Sequence, residues 1–111
     1  MTVAQVRKLA LALPEAEEVD HHGRPSFRVR NKIFATLWEQ DKRAVLKSAP
    51  EEQDVMTTNF PEAFTLGPWS GQGWMFVELA RVDKDLFEEL LANAWRRVAP
   101  KKLAAQYDDG D

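Results

Sequence analysis

The residues of this chain that could do chemistry are cations spaced along a strand-like segment from His22 to Lys47. No acid occurs between Asp20 and Glu39, although the whole chain holds 18 acids and 15 bases. Cations on neighbouring hairpins can contact phosphates, which position a protein on a nucleic acid without reading its sequence. A base-reading side chain would have to sit at a hairpin tip. The predicted nucleic-acid-binding residues are Arg28, Arg30, Asn31, Lys32, Lys42, Arg43 and Lys47.

The same cations also have a simpler explanation. Charged residues on exposed strand positions protect a sheet edge against pairing with another chain. The net charge of −3 and the pI near 5.4 argue against strong nonspecific nucleic-acid binding, which depends on neutralising phosphates. DNA binding through basic hairpins is the leading functional hypothesis, and edge protection is its alternative.

Large aromatic residues form the second candidate site. Rings beside a basic track can stack on single-stranded bases, and they can also line a pocket for a small molecule. Such rings more commonly close a core or cover an open sheet face. The alternative function is therefore a small-ligand or protein-binding module with an aromatic sheet face made of Phe34, Trp38, Trp69 and Trp74.

Metal binding and catalysis have little support in the sequence. His21 and His22 are adjacent, so in a strand they would point to opposite faces and would rarely share one ion. The chain has no cysteine, which excludes disulfides, thiolate zinc sites and cysteine nucleophiles. No serine lies in a nucleophile elbow, and no glycine-rich loop could cradle a phosphate. We therefore predict no metal, no cofactor and no enzymatic activity.

Three strands must position the cations, and they are predicted at 26–30, 33–39 and 43–48. A three-residue loop, 30–32, is predicted between the first two strands. The length of this loop matters because a shift of one residue moves every side chain to the other face of the sheet. With three residues, one face carries Phe27, Val29, Ile33, Ala35 and Leu37, and the other carries Arg28, Phe34 and Trp38.

Local signals predict helices on both sides of this meander. Thr2 and Gln5 match a capping box, Pro50 suits the first position of a short helix, and Asp83 is an N-cap for the last helix. A fourth strand is predicted at 74–79. The order of these elements predicts an α+β fold, with an antiparallel sheet of about five strands packed on N- and C-terminal helices in a two-layer sandwich.

A length of 111 residues indicates one domain, predicted to span 1–105 and to be followed by a disordered polar tail, 106–111. The first residues lack the apolar run of a signal peptide, and no stretch is long and apolar enough to cross a membrane. We therefore predict a cytoplasmic monomer without a membrane partner.

Four segments in this order resemble the MmcQ/YjbR family of small bacterial proteins: HGRPSFRVRNKIFATL, VLKSAPEEQ, GWMFVEL and AWRRVAPKKLAA. The resemblance covers about residues 3–105. It implies a frataxin-like (CyaY-like) fold, in which helices cover an antiparallel sheet. It also implies a DNA-binding label that is based on a proposed double-wing arrangement of the hairpins, without defined catalytic or base-reading residues.

Overall fold

A six-stranded antiparallel sheet organises the chain in the computed structural model, which describes residues 1–110. No helix among these residues is both long and apolar enough to cross a membrane. The helices are α1 (Val3–Leu11), α2 (Pro50–Asn59), α3 (Lys84–Val98) and α4 (Lys101–Asp109). The strands are β1 (Glu17–His21), β2 (Arg24–Val29), β3 (Lys32–Trp38), β4 (Arg43–Lys47), β5 (Phe64–Thr65) and β6 (Trp74–Glu78), in the sheet order β1-β2-β3-β4-β6-β5.

The predicted α+β class and antiparallel sheet are confirmed, but the sheet has six strands instead of about five. The two edge strands, β1 and β5, were not recognised in the sequence. Strand β1 is largely acidic and exposed, so it lacks the apolar alternation that marks a half-buried strand. Strand β5 is only two residues long. Edge strands bury little, and their sequences therefore carry a weak pattern.

The local helix signals are confirmed by hydrogen bonds. Thr2 Oγ1 accepts from the Gln5 backbone N–H at 3.1 Å, and Gln5 Oε1 accepts from the Thr2 N–H at 2.8 Å. The Asp83 carboxylate accepts from the Leu86 N–H at 3.0 Å, and Pro50 occupies the start of α2. Each cap satisfies N–H groups that lack an intrahelical partner and contributes about 1 kcal/mol.

The turn between β2 and β3 corrects the predicted register. Val29 pairs directly with Lys32, so the loop has two residues, Arg30 and Asn31, and the predicted three-residue loop is wrong. Both residues have positive φ, 51° and 66°, as a type I′ hairpin turn requires. This turn matches the right-handed twist of the strands that it joins.

A β-bulge then compensates for the shorter loop. Phe27 pairs with Ala35 but Arg28 pairs with Ile33, which leaves Phe34 as the extra residue in β3. Phe34 and Ala35 are consequently both buried in the core, whereas Ile33 lines a cavity on the opposite face. The predicted face assignment is therefore wrong for Ile33 and Phe34, although it holds for Phe27 and Ala35.

The hydrophobic core lies between one face of the sheet, here called the covered face, and helices α1 and α3. Its largest fully buried side chains include Phe27, Phe34, Phe87 and Trp95. Val45 and Phe76 are also buried but do not belong to this cluster. Because side chains alternate along a strand, they lie on the other face, here called the open face.

Helix α4 extends the fold beyond the predicted domain end at residue 105. Leu103 and Ala104 pack against the core, and the ring of Tyr107 lies 5.1 Å from that of Trp95. The tail predicted to be disordered, 106–111, is thus helical as far as Asp109, and Asp111 lies outside the described residues. The apolar stripe of this short helix has a partner that the sequence pattern did not reveal.

Candidate ligand-binding site

The predicted basic track is divided between opposite ends of the sheet. The β2–β3 turn lies at one end of β3 and the β3–β4 turn at the other, which places the two tips roughly 20 Å apart. Lys32 and Lys42 belong to these two turns, and neither forms an ion pair within residues 1–110. The two lysines therefore do not join into one cationic surface.

Two of the predicted arginines are held by carboxylates. Arg30 donates from Nε and Nη2 to the two oxygens of Glu15, at 2.5 and 3.1 Å. These hydrogen bonds lower the pKa of the Glu15 carboxyl and raise the pKa of Arg30. Arg43 donates from Nε to Glu78 Oε2 at 2.5 Å. A phosphate would have to compete with a carboxylate at both positions.

Arg28 and Lys47 donate hydrogen bonds to uncharged groups. Arg28 donates to Ser26 Oγ at 3.0 Å and to Asn31 Oδ1 at 3.2 Å, and one of its nitrogens lies 3.5 Å from His21 Nδ1. Lys47 donates to the Gln72 carbonyl at 3.0 Å. These contacts hold both side chains close to the protein surface.

The open face of the sheet contains a concave cavity of about 320 Å³, here called the aromatic basin. Strands β1 to β4 and β6 all contribute to it, together with the loop before β6. Val45 and Thr36 are cross-strand partners within it, and three tryptophans are among its lining residues. The lining residues are His21, His22, Arg24, Ile33, Thr36, Trp38, Val45, Trp69 and Trp74.

Three of the four predicted aromatic residues meet in the basin, and the fourth does not. Trp38, Trp69 and Trp74 line it, whereas Phe34 is fully buried in the core as the extra residue of the β-bulge. The placement of Phe34 on an aromatic sheet face is therefore wrong. A bulge depends on pairing with another strand, so the period of β3 alone does not reveal it.

Phe76 packs against two tryptophans of the basin and was not predicted as a site residue. Its ring lies 5.1 Å from that of Trp38 at 87°, an edge-to-face arrangement, and 6.3 Å from that of Trp69. Trp38 and Trp69 are themselves 6.4 Å apart. Such geometries are the favourable ones for aromatic pairs. The alternation of Trp74, Phe76 and Glu78 in the sequence was the available sign that Phe76 shares this face.

Cations lie on the rings of the basin. The Arg24 guanidinium carbon is 3.9 Å from the ring centre of Trp38, and Lys47 Nζ is 4.7 Å from that of Trp74. Both distances are within the range of cation–π attraction. No Asp or Glu within residues 1–110 lines the basin, although the full chain carries three more acids than bases. The basin is thus an apolar surface with a cationic rim.

Arg24, His21 and His22 reach the basin because β1 and β2 form a hairpin. His21 pairs with Arg24 across a two-residue turn, His22-Gly23, in which both residues have positive φ. The rings of His21 and His22 are in edge contact, with centres 4.5 Å apart. Strand β1 was not predicted from the sequence, so these residues were not connected with the tryptophans.

A buried amide holds the loop that carries Trp69. Gln53 of α2 donates from Nε2 to the Ser70 carbonyl and to Ser48 Oγ, both at 3.0 Å. The Ser48 N–H donates to the Gly73 carbonyl at 2.8 Å, and Gly73 has a φ of 89°, which favours glycine. The Trp69 wall is consequently attached to α2 and to the end of β4.

The groups in this arrangement are suited to binding a ligand. Thr36 is the one hydroxyl-bearing residue among the described lining residues, and no Asp or Glu of residues 1–110 lines the basin beside it. Within residues 1–110, no group of three His, Cys, Asp or Glu side chains is placed to hold a metal ion. The basin instead offers flat apolar walls and the N–H donors of Arg24, His21 and His22.

Comparisons with known proteins identify the family and the fold. The sequence model of the YjbR family matches residues 11–97, so the chain belongs to the YjbR family, as the sequence resemblance predicted. The crystal structure of Deinococcus radiodurans protein DR2400, described with the domain DUF419, superposes with a TM-score of 0.80 and 23% identity. This superposition covers 91% of the present chain and 80% of the other.

The chain is also similar to a eukaryotic protein. MICOS complex subunit MIC27 of Kluyveromyces lactis is 32% identical over 84 residues, which covers 72% of this chain. The match covers 33% of the yeast protein, so the chain spans about one third of that relative. The similarity therefore concerns a shared segment of sequence.

Proposed function

We propose that this YjbR-family protein is a binding module that holds a small ligand with a flat, apolar body in the aromatic basin. The observation that supports the proposal is the basin itself, a cavity of about 320 Å³ that combines three tryptophans with a cationic rim. Ligand pockets commonly measure about 300–1,000 Å³ and combine apolar walls with a few polar groups. The basin corresponds to the lower end of this range.

Burial of apolar surface is the main contribution that the basin offers a ligand. A cation on an exposed ring contributes about 0.5–1 kcal/mol, and burial of apolar surface contributes about 25 cal/mol per Å². A bicyclic ligand that covers about 100 Å² of ring and aliphatic surface beside Arg24 therefore gains about 2.5 kcal/mol from burial while the contact of Arg24 with Trp38 is kept. The supported Trp69 loop reduces the ordering cost because one wall is held before binding.

The test uses two flat probes of equal size, 2-naphthoate and 2-naphthamide, titrated into ¹⁵N-labelled protein. The four tryptophans give four indole N–H signals, and the chain contains its own control among them. The Trp95 indole donates to the Pro14 carbonyl at 3.0 Å inside the core. We expect the signals of Trp38, Trp69 and Trp74 to move with either probe and that of Trp95 to stay fixed.

A matched pair of variants locates the effect. Trp69→Ala removes a wall of the basin from a side chain that is 44% exposed, and Phe60→Ala removes a 40% exposed ring that does not line it. We expect only Trp69→Ala to weaken probe binding. No shift with either probe, or equal shifts of Trp95 and the other three signals, would contradict the proposed function.

Duplex DNA is the second candidate partner, and the exposed lysines Lys32 and Lys42 are what favours it. A labelled duplex titrated at two salt concentrations should show weak, steeply salt-dependent binding if the hairpins contact phosphates. Charge reversal at Arg30 and Lys42 should then abolish binding, whereas Arg81→Glu, at an exposed position outside the track, should reduce it less. Absence of binding at low salt would exclude this candidate.

The double-wing and frataxin-like labels come from the family resemblance and stay predictions. The same is true of a cytoplasmic location, a monomeric state and the lack of enzymatic activity. The ligand-binding proposal depends on none of them, because it concerns a cavity within one chain.

A further inference from the structure

We infer that the ligand of the aromatic basin is an aromatic carboxylate, whose ring lies among the tryptophans and whose anionic group is bound by Arg24. This inference rests on the proposed function and adds to it the chemical class of the ligand. It depends on the charges of the basin rim, which the apolar walls alone do not determine.

The cavities of this chain differ in their charges. The groove between α1 and α3, about 570 Å³ in volume, is lined by Asp85, Glu88 and Glu89, against a single cation, Arg96. The aromatic basin has no acid among its described lining residues and carries Arg24 with two histidines. In a chain with a net charge of −3, such a site selects against cations and favours an anion.

Arg24 is the residue best placed to bind the anionic group. Its guanidinium carbon lies 3.9 Å from the ring centre of Trp38, at the edge of the acid-free basin. Among the described residues it forms no ion pair, in contrast to Arg30 and Arg43, which are paired with Glu15 and Glu78. The planar fork of a guanidinium matches the two oxygens of a carboxylate, and it can do so while the group lies on an aromatic ring.

Acids also lie near Arg24, but outside the basin. Glu39 and Asp41 line a neighbouring cavity that shares Arg24, His22 and Trp38 with the basin. Neither acid is within 4.0 Å of Arg24 as an ion pair in residues 1–110. Arg24 therefore lies between the acidic turn that carries Glu39 and Asp41 and the acid-free basin. A ligand carboxylate in the basin could pair with it directly.

The experiment compares the acid with the amide, since 2-naphthoate and 2-naphthamide differ little except in charge. We expect the acid to bind about tenfold or more tightly than the amide, the ratio that one charge-assisted hydrogen-bonded pair produces. Arg24→Met keeps an unbranched side chain on Trp38 and should remove this preference. Arg24→Lys keeps the charge without the fork and should retain part of it.

The control is Arg81→Met, which removes the same charge from an exposed residue outside the basin. It should leave the preference unchanged, and circular dichroism should show that all variants are folded. Equal affinity for acid and amide, with the basin signals moving, would overturn the inference and leave the proposed function intact. A preference that survives in Arg24→Met would also overturn it. No movement of the basin signals with either probe would overturn both.

Discussion

The two faces of the sheet both carry large aromatic residues but cover them in different ways. On the covered face, Phe27 and Phe34 are fully buried by apolar side chains of the core. On the open face, Trp38 and Trp74 stay half-buried, and the cations of Arg24 and Lys47 lie on their rings. One face is closed by the protein's own helices, whereas the other carries cations and leaves ring surface accessible to a ligand.

This difference shows how an aromatic surface can remain available in a folded protein. Full burial of an aromatic side chain contributes about 1.5–3 kcal/mol, whereas a cation on an exposed ring contributes about 0.5–1 kcal/mol. The aromatic residues of the covered face therefore contribute to the stability of the fold and are not accessible to a ligand. The open face keeps apolar ring surface that a ligand could bury. Three substitutions test this contrast in order of decreasing effect, and a fourth concerns an ion pair outside both faces.

The largest effect on stability is expected for Phe34→Ala. Phe34 and its neighbour Ile33 lie on opposite faces of β3, so the two positions can be compared directly. Phe34 is fully buried, so its truncation should lower the free energy of unfolding by about 3–5 kcal/mol. Its neighbour Ile33 lies on the open face and is only half-buried, so Ile33→Ala should cost less. Urea denaturation measures both, and a larger loss for Ile33→Ala would contradict the bulge.

A smaller effect is expected for Gln53→Ala, which removes the buried amide behind the Trp69 loop. Two hydrogen bonds disappear and leave Ser48 Oγ and the Ser70 carbonyl without this donor, which should cost about 1–3 kcal/mol. Hydrogen exchange of the amides in 69–73 should also become faster. Asp54→Ala, at the exposed next position of α2, should change stability by less than about 0.5 kcal/mol. Equal losses for the two variants would show that the amide does not hold the loop.

Gly67→Ala should disturb the open face without reaching the core. A methyl group at Gly67 would overlap the Phe76 ring, on which Trp38 and Trp69 pack. We expect a loss of about 1 kcal/mol, because a surface loop can shift, together with a change in tryptophan fluorescence. Gly71→Ala is the matched control, since nothing lies within 4 Å of its added methyl. Unchanged fluorescence in Gly67→Ala would argue against this packing.

The smallest effect concerns the exposed pair of Glu15 and Arg30, outside both faces. Hydrogen bonds from Arg30 lower the pKa of the Glu15 carboxyl in the folded state. The stabilisation is therefore complete above the pKa of the unfolded state and is lost as the pH falls through the lower pKa of the folded state. In an NMR titration, Arg30→Gln should raise the pKa of Glu15 towards its ordinary value. An unchanged titration would mean that the pair does not form in solution.

Much of the fold followed from local sequence signals. The capping box at Thr2, the proline at the start of α2 and the Asp83 cap act within one helical turn, so neighbouring residues were enough to predict them. Strand β1 was not predicted because an exposed acidic edge strand has no apolar alternation. Helix α4 was not predicted because the polar sequence after Pro100 gave no sign of its contact with Trp95 of α3, which appears only in the folded structure.

The candidate site was less predictable than the fold. Trp38, Trp69 and Trp74 were recognised as a group, but Arg24 was not assigned to them and Phe34 was added wrongly. The two errors have different origins: strand β1, which pairs His21 with Arg24, was not predicted, and the register between β2 and β3 was predicted wrongly. The two-residue turn at Arg30-Asn31 and the bulge at Phe34 each change which face a residue occupies, and they compensate one another.

The sequence by itself determined the first three helices, the inner strands, the aromatic character of one face and the family. The tertiary structure alone decided which cations meet a carboxylate and which lie on a ring. Helix caps involve residues a few positions apart, so their free energy is local. The face of a strand residue depends on pairing with another strand, and a shift of one position reverses it. Arg24 and Trp38 come together through that pairing, and the chemistry of the basin exists only once it has formed.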